Sequence, residues 1–135
     1  MKVLDANVVI AFLDEGNALH ADARRVLDLG EDEQLLMHAL TIAEVLSGPA
    51  RAGESAARHI WSRMLELQIE EVGIDGTPLD IARMRASTGL PVPDCLVLLA
   101  AGAPGDGAPG RATTILTFDR RLAAKGRELG YAIEP

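Results

Sequence analysis

The chain has 135 residues, 48% of them apolar and 24% charged, which predicts one globular domain over residues 1–135. Its single cysteine, Cys95, excludes an internal disulfide, no apolar leader opens the chain, and its longest apolar run is too short to cross a bilayer, so we expect a cytoplasmic protein that does not enter membranes. The formal net charge of −7 argues against a basic surface for nucleic acids, unless acidic residues are concentrated at a metal site.

Hydrophobic periodicity in the first half of the chain predicts two strands, each followed by two helices. Asn7 stands at the start of the first helical pattern and predicts its N-cap. Gly48–Pro49 predicts a break between the third and fourth helices, because proline lacks a backbone N–H. In chain order the predicted elements are strand Lys2–Asp5, helix Val8–Leu13, a helical pattern over Leu19–Leu27, strand Gln34–Ala39, and helices from Thr41 and over Ser55–Leu67.

The second half of the chain continues the alternation. Thr77 followed by Pro78 predicts a capped helix start, and Gly130 predicts the end of the last helix. The predicted elements are strand Ile69–Ile74, helix Pro78–Ser87, a helix from Asp94, strand Thr113–Phe118, helix Arg120–Leu129 and strand Tyr131–Ile133. Strands that alternate with helices predict an α/β fold, in which a mostly parallel sheet is covered by helices on both faces.

Residues 101–111 interrupt this pattern. They hold four glycines and two prolines, which are incompatible with a regular helix or strand. We therefore predict an exposed loop here. A mobile connector is the favoured role, and a flap that contacts substrate is the alternative.

Four acidic residues from distant segments each mark the place where an apolar run meets a helical pattern. They are Asp5, Glu44, Asp94 and Asp119. Strand-to-helix junctions of an open α/β sheet line the edge where ligands bind, so we expect these acids to converge. Unpaired carboxylates about 5 Å apart would repel by roughly 3 kcal/mol per pair at an effective dielectric near 20. A divalent cation would remove that repulsion.

Each acid also has a structural interpretation. Asp5 can cap a helix or pair with an arginine, although a carboxylate at the end of a buried strand is costly without a partner. Thr41 to Glu44 has the capping-box pattern, in which Glu44 reaches back to the Thr41 backbone N–H. Asp94 and Asp119 each suit an N-cap, a role compatible with facing a cation. The occurrence of all four together favours a shared site.

Four motifs follow one another along the chain: Leu4-Asp5-Ala6-Asn7, Thr41-Ile42-Ala43-Glu44-Val45, Pro93-Asp94-Cys95-Leu96 and Leu116-Thr117-Phe118-Asp119-Arg120-Arg121-Leu122. In order and spacing, over essentially the whole chain, they resemble the motifs of PIN-domain nucleases and most closely those of VapC toxins. The resemblance implies a three-layer α/β/α sandwich, a Mg²⁺- or Mn²⁺-dependent endoribonuclease, a homodimer and a cognate antitoxin. The glycine- and proline-rich segment and the bulky residues after Asp94 depart from the family pattern.

Hydrolysis of an RNA phosphodiester requires a nucleophile made from water and a way to stabilise charge on the phosphate. A metal ion held by carboxylates supplies both, and hard oxygen ligands select Mg²⁺ or Mn²⁺ over zinc. We expect Asp5 and Asp94 to be the primary ligands and Asp119 a further ligand, partly through water. Glu44 is expected to be a ligand or a base that orients the water.

Four more residues are candidates for supporting roles. Asn7 and Thr117 can orient a carboxylate or the attacking water, with capping and strand-edge roles as alternatives. Arg120 and Arg121 can bind RNA phosphates, although a solvated helix face explains them equally well.

Two alternative functions compete with the nuclease. Asp5-Ala6-Asn7 also resembles the aspartyl-nucleophile motif of haloacid-dehalogenase-like phosphotransferases, but Lys125, the only lysine downstream of that motif, lies beyond the last acid. The other alternative is a PIN-like binding module without activity, against which the presence of all four acids argues. The sequence does not identify the RNA.

Overall fold

The computed structural model describes residues 1–28, 33–74, 76–103 and 113–135. Its strands are β1 (Lys2–Leu4), β2 (Leu35–His38), β3 (Glu70–Val72), β4 (Thr114–Leu116) and β5 (Ala132–Glu134). They form one sheet in the order β3-β2-β1-β4-β5, and each pair of neighbours is parallel. This order places β1 at the centre of the sheet, between β2 and β4.

Helices cover both faces of the sheet. They are α1 (Ala6–Leu13), α2 (His20–Val26), α3 (Ala39–Ala52), α4 (Glu54–Glu66), α5 (Pro78–Thr88), α6 (Val92–Ala100) and α7 (Arg120–Glu128). Successive strand residues point to opposite faces. Leu4 and Leu116 pack in a core with residues of α1, α3 and α4, whereas Val3 and Ile115 pack in a second core with residues of α6 and α7. The expected three-layer α/β/α sandwich is confirmed.

The predicted break at Gly48–Pro49 is wrong. α3 continues through Pro49 and ends at Gly53, whose φ of 134° is a backbone conformation that L side chains rarely adopt. Proline removes one backbone hydrogen bond inside a helix. Ile42 and Val45 of α3 lie in the same core as Met64 of α4, so the packing of this helical hairpin offsets that loss.

Several predicted helix starts are displaced. Asp5, not Asn7, is the N-cap of α1, and Pro91, not Asp94, is the N-cap of α6. α3 begins after His38, whose Nδ1 accepts a hydrogen bond from the Leu40 N–H at 3.2 Å. The Thr41–Glu44 capping box is therefore wrong, because both residues lie inside α3. The predicted caps at Thr77 and Asp119 are confirmed.

The other boundaries agree with the prediction to within two residues, as in β3 and β4. Most of the predicted loop over 101–111 lies outside the described residues, and 101–103 belong to no helix or strand. No helix in the described ranges combines the length and apolar content that a bilayer crossing requires.

Candidate active site

The carboxyl ends of the strands bring the predicted site residues to one edge of the sheet. Leu4, the last residue of β1, pairs with Leu116, the last residue of β4, so Asp5 and Thr117 follow side by side. Glu44 lies in α3, which follows β2, and Asp94 lies in the first turn of α6.

Asp5 is the buried member of the group. The residue is 8% exposed, and its Oδ2 accepts hydrogen bonds from Asn7 Nδ2 and Thr117 Oγ1, each at 2.6 Å. Asn7 Oδ1 in turn accepts the Phe118 N–H at 3.0 Å. Both side chains predicted to have supporting roles thus fix the orientation of the Asp5 carboxylate and tie β1 to the segment that follows β4.

Asp119 is exposed and held by the helix that it caps. Its Oδ1 accepts the backbone N–H groups of Arg121 at 2.7 Å and Leu122 at 2.9 Å. Its own N–H donates to Thr117 Oγ1 at 3.0 Å. Thr117 therefore links Asp5 to Asp119 through one hydroxyl group, which donates to the first and accepts from the second.

The four acids lie close enough for their charges to influence one another. Burial and, after it, repulsion from Asp5, Asp119 and Glu44 together raise the pKa of Asp94 to about 6, while Arg121 opposes the increase. Burial, with a smaller contribution from Asp119, also raises the pKa of Asp5 against the lowering effect of its hydrogen bonds. Although much of Glu44 is exposed, partial burial and then repulsion from Asp5 raise its pKa. Ionising the whole group is therefore unfavourable without a counter-ion.

The donor set suits a hard divalent cation, because all four side chains offer carboxylate oxygens. As they stand, no three His, Cys, Asp or Glu side chains of the described ranges are grouped closely enough to enclose an ion. Asp5 and Asp119 are held by hydrogen bonds, whereas the carboxylates of Glu44 and Asp94 accept none from the described residues. The latter two can therefore turn toward an ion without breaking such bonds.

The basic residues are distributed differently from the acids. Arg121 Nη2 donates to the Gly89 carbonyl at 2.6 Å, and Arg120 is exposed. The two lysines are Lys2, paired with Glu134, and Lys125, paired with Glu128. Neither lysine pairs with Asp5, so neither provides the cation that would neutralise an aspartyl-phosphate intermediate there.

The fold and this acidic edge agree with a comparison of the sequence with family models. The PIN domain model matches residues 2–128. The chain belongs to the PIN domain family. This finding overturns the haloacid-dehalogenase alternative. No curated protein sequence matches the chain.

Solved structures with the same PIN fold are similar over nearly the whole chain. Mycobacterium tuberculosis VapC20, a Sarcin-Ricin loop cleaving toxin, is 15% identical with a TM-score of 0.68, and the alignment covers 93% of this chain and 95% of VapC20. Rickettsia felis VapBC2, bound to a promoter DNA fragment, is 12% identical with a TM-score of 0.66 and coverages of 98% and 96%. PAE2754 from Pyrobaculum aerophilum is 22% identical with a TM-score of 0.61 and coverages of 98% and 87%. At these identities the likeness establishes the fold.

Two residues near this edge were missed by sequence reasoning. His38 lies where β2 passes into α3 and caps that helix through Nδ1, a role usually filled by Ser, Thr, Asp or Asn. Gly89 supplies the carbonyl that Arg121 binds. Its position after the helical pattern of α5 indicates a helix end, but no local signal indicates its distant partner.

Glu44→Gln tests whether Glu44 belongs to a catalytic metal site: if the acidic group cleaves RNA with a bound ion, cleavage is expected to fall by about tenfold or more, because the amide keeps the shape of the side chain and removes its charge. Since Glu44 is not a helix cap, no loss of stability should accompany this change. Initial cleavage rates and the urea unfolding midpoint would be measured beside Glu15→Gln, which alters an exposed turn outside the acidic group. Cleavage at the wild-type rate would remove Glu44 from the site.

Proposed function

We propose that this protein is a divalent-metal-dependent endoribonuclease and the toxin of a toxin–antitoxin pair. The observation that carries the proposal is the group of four mutually repelling carboxylates at the carboxyl edge of the sheet, with Asp5 oriented by Asn7 and Thr117. Membership of the PIN domain family and the fold shared with VapC20 support the reaction type.

The roles of the acids follow from how each is held. Asp5, buried and oriented by two donors, and Asp94, in the first turn of α6, would be the primary ligands of Mg²⁺ or Mn²⁺. Asp119 would be a further ligand through the oxygen that does not cap α7. When bound, the ion lowers the pKa of a water molecule and neutralises charge on the phosphate. Glu44, exposed at the rim, would be a ligand or would accept a proton from the attacking water.

The acidic net charge of −7 is compatible with an RNA substrate under this proposal. Two bound divalent ions would cancel the charge of the four site carboxylates. Arg120, exposed next to Asp119, would be available to contact a phosphate of the bound strand.

Cleavage of an end-labelled RNA by the purified protein tests the activity. Cleavage that requires Mg²⁺ or Mn²⁺, stops with EDTA and returns when the ion is restored would support the proposal. A DNA of the same sequence serves as the substrate control. Binding of RNA with no cleavage in either ion would instead support the inactive PIN-like binding module.

The proposed partner is a cognate antitoxin, and a homodimer is the proposed state of the toxin. We expect the antitoxin to place an arginine among the four acids, because a planar guanidinium can bind two carboxylate oxygens at once. Mg²⁺ should then compete with the antitoxin. Titration calorimetry with the protein encoded beside this gene should show weaker binding as Mg²⁺ is added. If neither Mg²⁺ nor Asp94→Asn changes the affinity for the antitoxin, the inhibitory contact lies elsewhere.

A further inference from the structure

The link between α5 and α6 determines where Asp94 lies. Gly89 ends α5 with a φ of 67°, Leu90 is fully buried, and Pro91 is the N-cap of α6. Asp94 follows in the first turn of that helix. Any shift of the link therefore moves Asp94 with respect to the rest of the acidic group.

Two arginines hold consecutive carbonyl groups of this link. Arg121 Nη2 donates to the Gly89 carbonyl at 2.6 Å, and Arg85 Nη1 donates to the Leu90 carbonyl at a longer 3.4 Å. Arg85 belongs to α5 and makes a local contact. Arg121 belongs to α7, 32 residues away in sequence, and its bond is the shorter of the two.

Arg121 also contacts the second acid directly. Its backbone N–H donates to Asp119 Oδ1 at 2.7 Å. One residue thus touches Asp119 through its backbone and the link before Asp94 through its side chain. We propose that Arg121 is a positioning residue, which sets the separation of Asp94 and Asp119 by holding the Gly89 carbonyl. This inference rests on the proposed metal-dependent nuclease.

The geometry favours this role over phosphate binding. A Cβ atom added at Gly89 would lie 3.6 Å from Arg121 Nη2, so the guanidinium lies closely against the backbone of the link. A guanidinium is planar and donates in fixed directions, which makes it suited to holding a carbonyl at a defined place. The donor that points to Gly89 is engaged before any RNA arrives.

The test measures Mn²⁺ affinity without RNA, by electron paramagnetic resonance, for the wild type, Arg121→Gln and Arg127→Gln. Arg127 lies on the same helix, is exposed, and loses the same charge. We expect Arg121→Gln to weaken Mn²⁺ binding by about tenfold, the usual effect of removing a residue that orients metal ligands, and Arg127→Gln to leave it unchanged. If the charge of Arg121 were its only contribution, Arg121→Gln would instead tighten Mn²⁺ binding, because it removes a cation near the carboxylates. Unchanged or tighter binding by Arg121→Gln would overturn the proposal.

RNA cleavage kinetics separate positioning from substrate contact. Positioning predicts that Arg121→Gln lowers kcat by about tenfold and leaves KM nearly constant. A raised KM with an unchanged kcat would overturn the proposal in favour of a phosphate contact. If Arg121→Gln does not fold, Arg121→Lys replaces it, with an expected loss of Mn²⁺ affinity of roughly threefold, and wild-type affinity would overturn the proposal. A wild type that binds Mn²⁺ without cleaving RNA refutes the nuclease and leaves the affinity test intact.

Discussion

Asp5→Asn is expected to abolish metal-dependent RNA cleavage, with a rate reduced by about 10³-fold or more, because several kcal/mol of transition-state stabilisation depend on a correctly held ion. The substitution is nearly isosteric. Asn7 and Thr117 both donate to the same carboxylate oxygen, so an asparagine can present its amide oxygen to them and keep this network. What the variant loses is the negative charge.

Stability should move in the opposite direction to activity in this variant. Because burial raises the pKa of Asp5, its ionised form is unfavourable in the folded protein without a cation. We expect the unfolding midpoint of Asp5→Asn in EDTA to equal or exceed that of the wild type. Midpoint and cleavage rate would be measured on the same preparations, with Glu15→Gln as the control. A stable variant that cleaves at the wild-type rate would show that Asp5 is not a metal ligand.

The order of the elements was predictable from the sequence because each central strand is buried on both faces. Apolar runs such as Leu35–Met37 and Ile115–Leu116 are typical of such strands. The junction positions of Asp5 and Asp119 then followed from the parallel topology. The sequence alone therefore predicts that the four acids lie at the same edge.

The helix ends were less predictable, because tertiary packing overrides local signals. Pro49 indicates a break that the packed hairpin of α3 and α4 does not make, and the chain turns at Gly53 instead. His38 is an unusual N-cap, so the sequence favours a helix start at the capping-box pattern of Thr41 instead. Errors of this kind change the interpretation of a site residue, since they made Glu44 a candidate cap.

The contact between Arg121 and Gly89 lies beyond sequence reasoning for a different reason. It joins residues 32 positions apart through a side chain and a backbone carbonyl, and a carbonyl carries no residue-specific signal. The sequence placed Arg121 beside Asp119 and thereby suggested a phosphate ligand. Only the three-dimensional arrangement of α7 against the α5–α6 link distinguishes a group that faces substrate from one that faces the protein.

The ion-free protein is expected to become more stable as the pH falls from 7 to 5, by about 1 kcal/mol from Asp94 after allowance for its partial exposure. Burial and the neighbouring acids raise the Asp94 pKa from 3.8 to about 6, so in this window the folded protein takes up a proton that the unfolded chain does not. Stability therefore falls as the pH rises through 6. The pKa of Asp80 is lowered by its bonds to Thr77, and its contribution is lost only below about pH 4, outside this window.

Saturating Mg²⁺ should reverse this trend, because the ion binds the ionised carboxylates and a proton must leave before it binds. Urea unfolding at pH 5, 6 and 7, in EDTA and in Mg²⁺, would measure how the free energy of unfolding changes with pH in each condition. In EDTA this pH dependence should be weaker for Asp94→Asn than for the wild type, and unchanged for Glu15→Gln. An ion-free protein whose stability rises from pH 5 to pH 7 would contradict the raised pKa of Asp94. Since the same proton competes with the ion, Mn²⁺ affinity should weaken by roughly tenfold for each pH unit below 6.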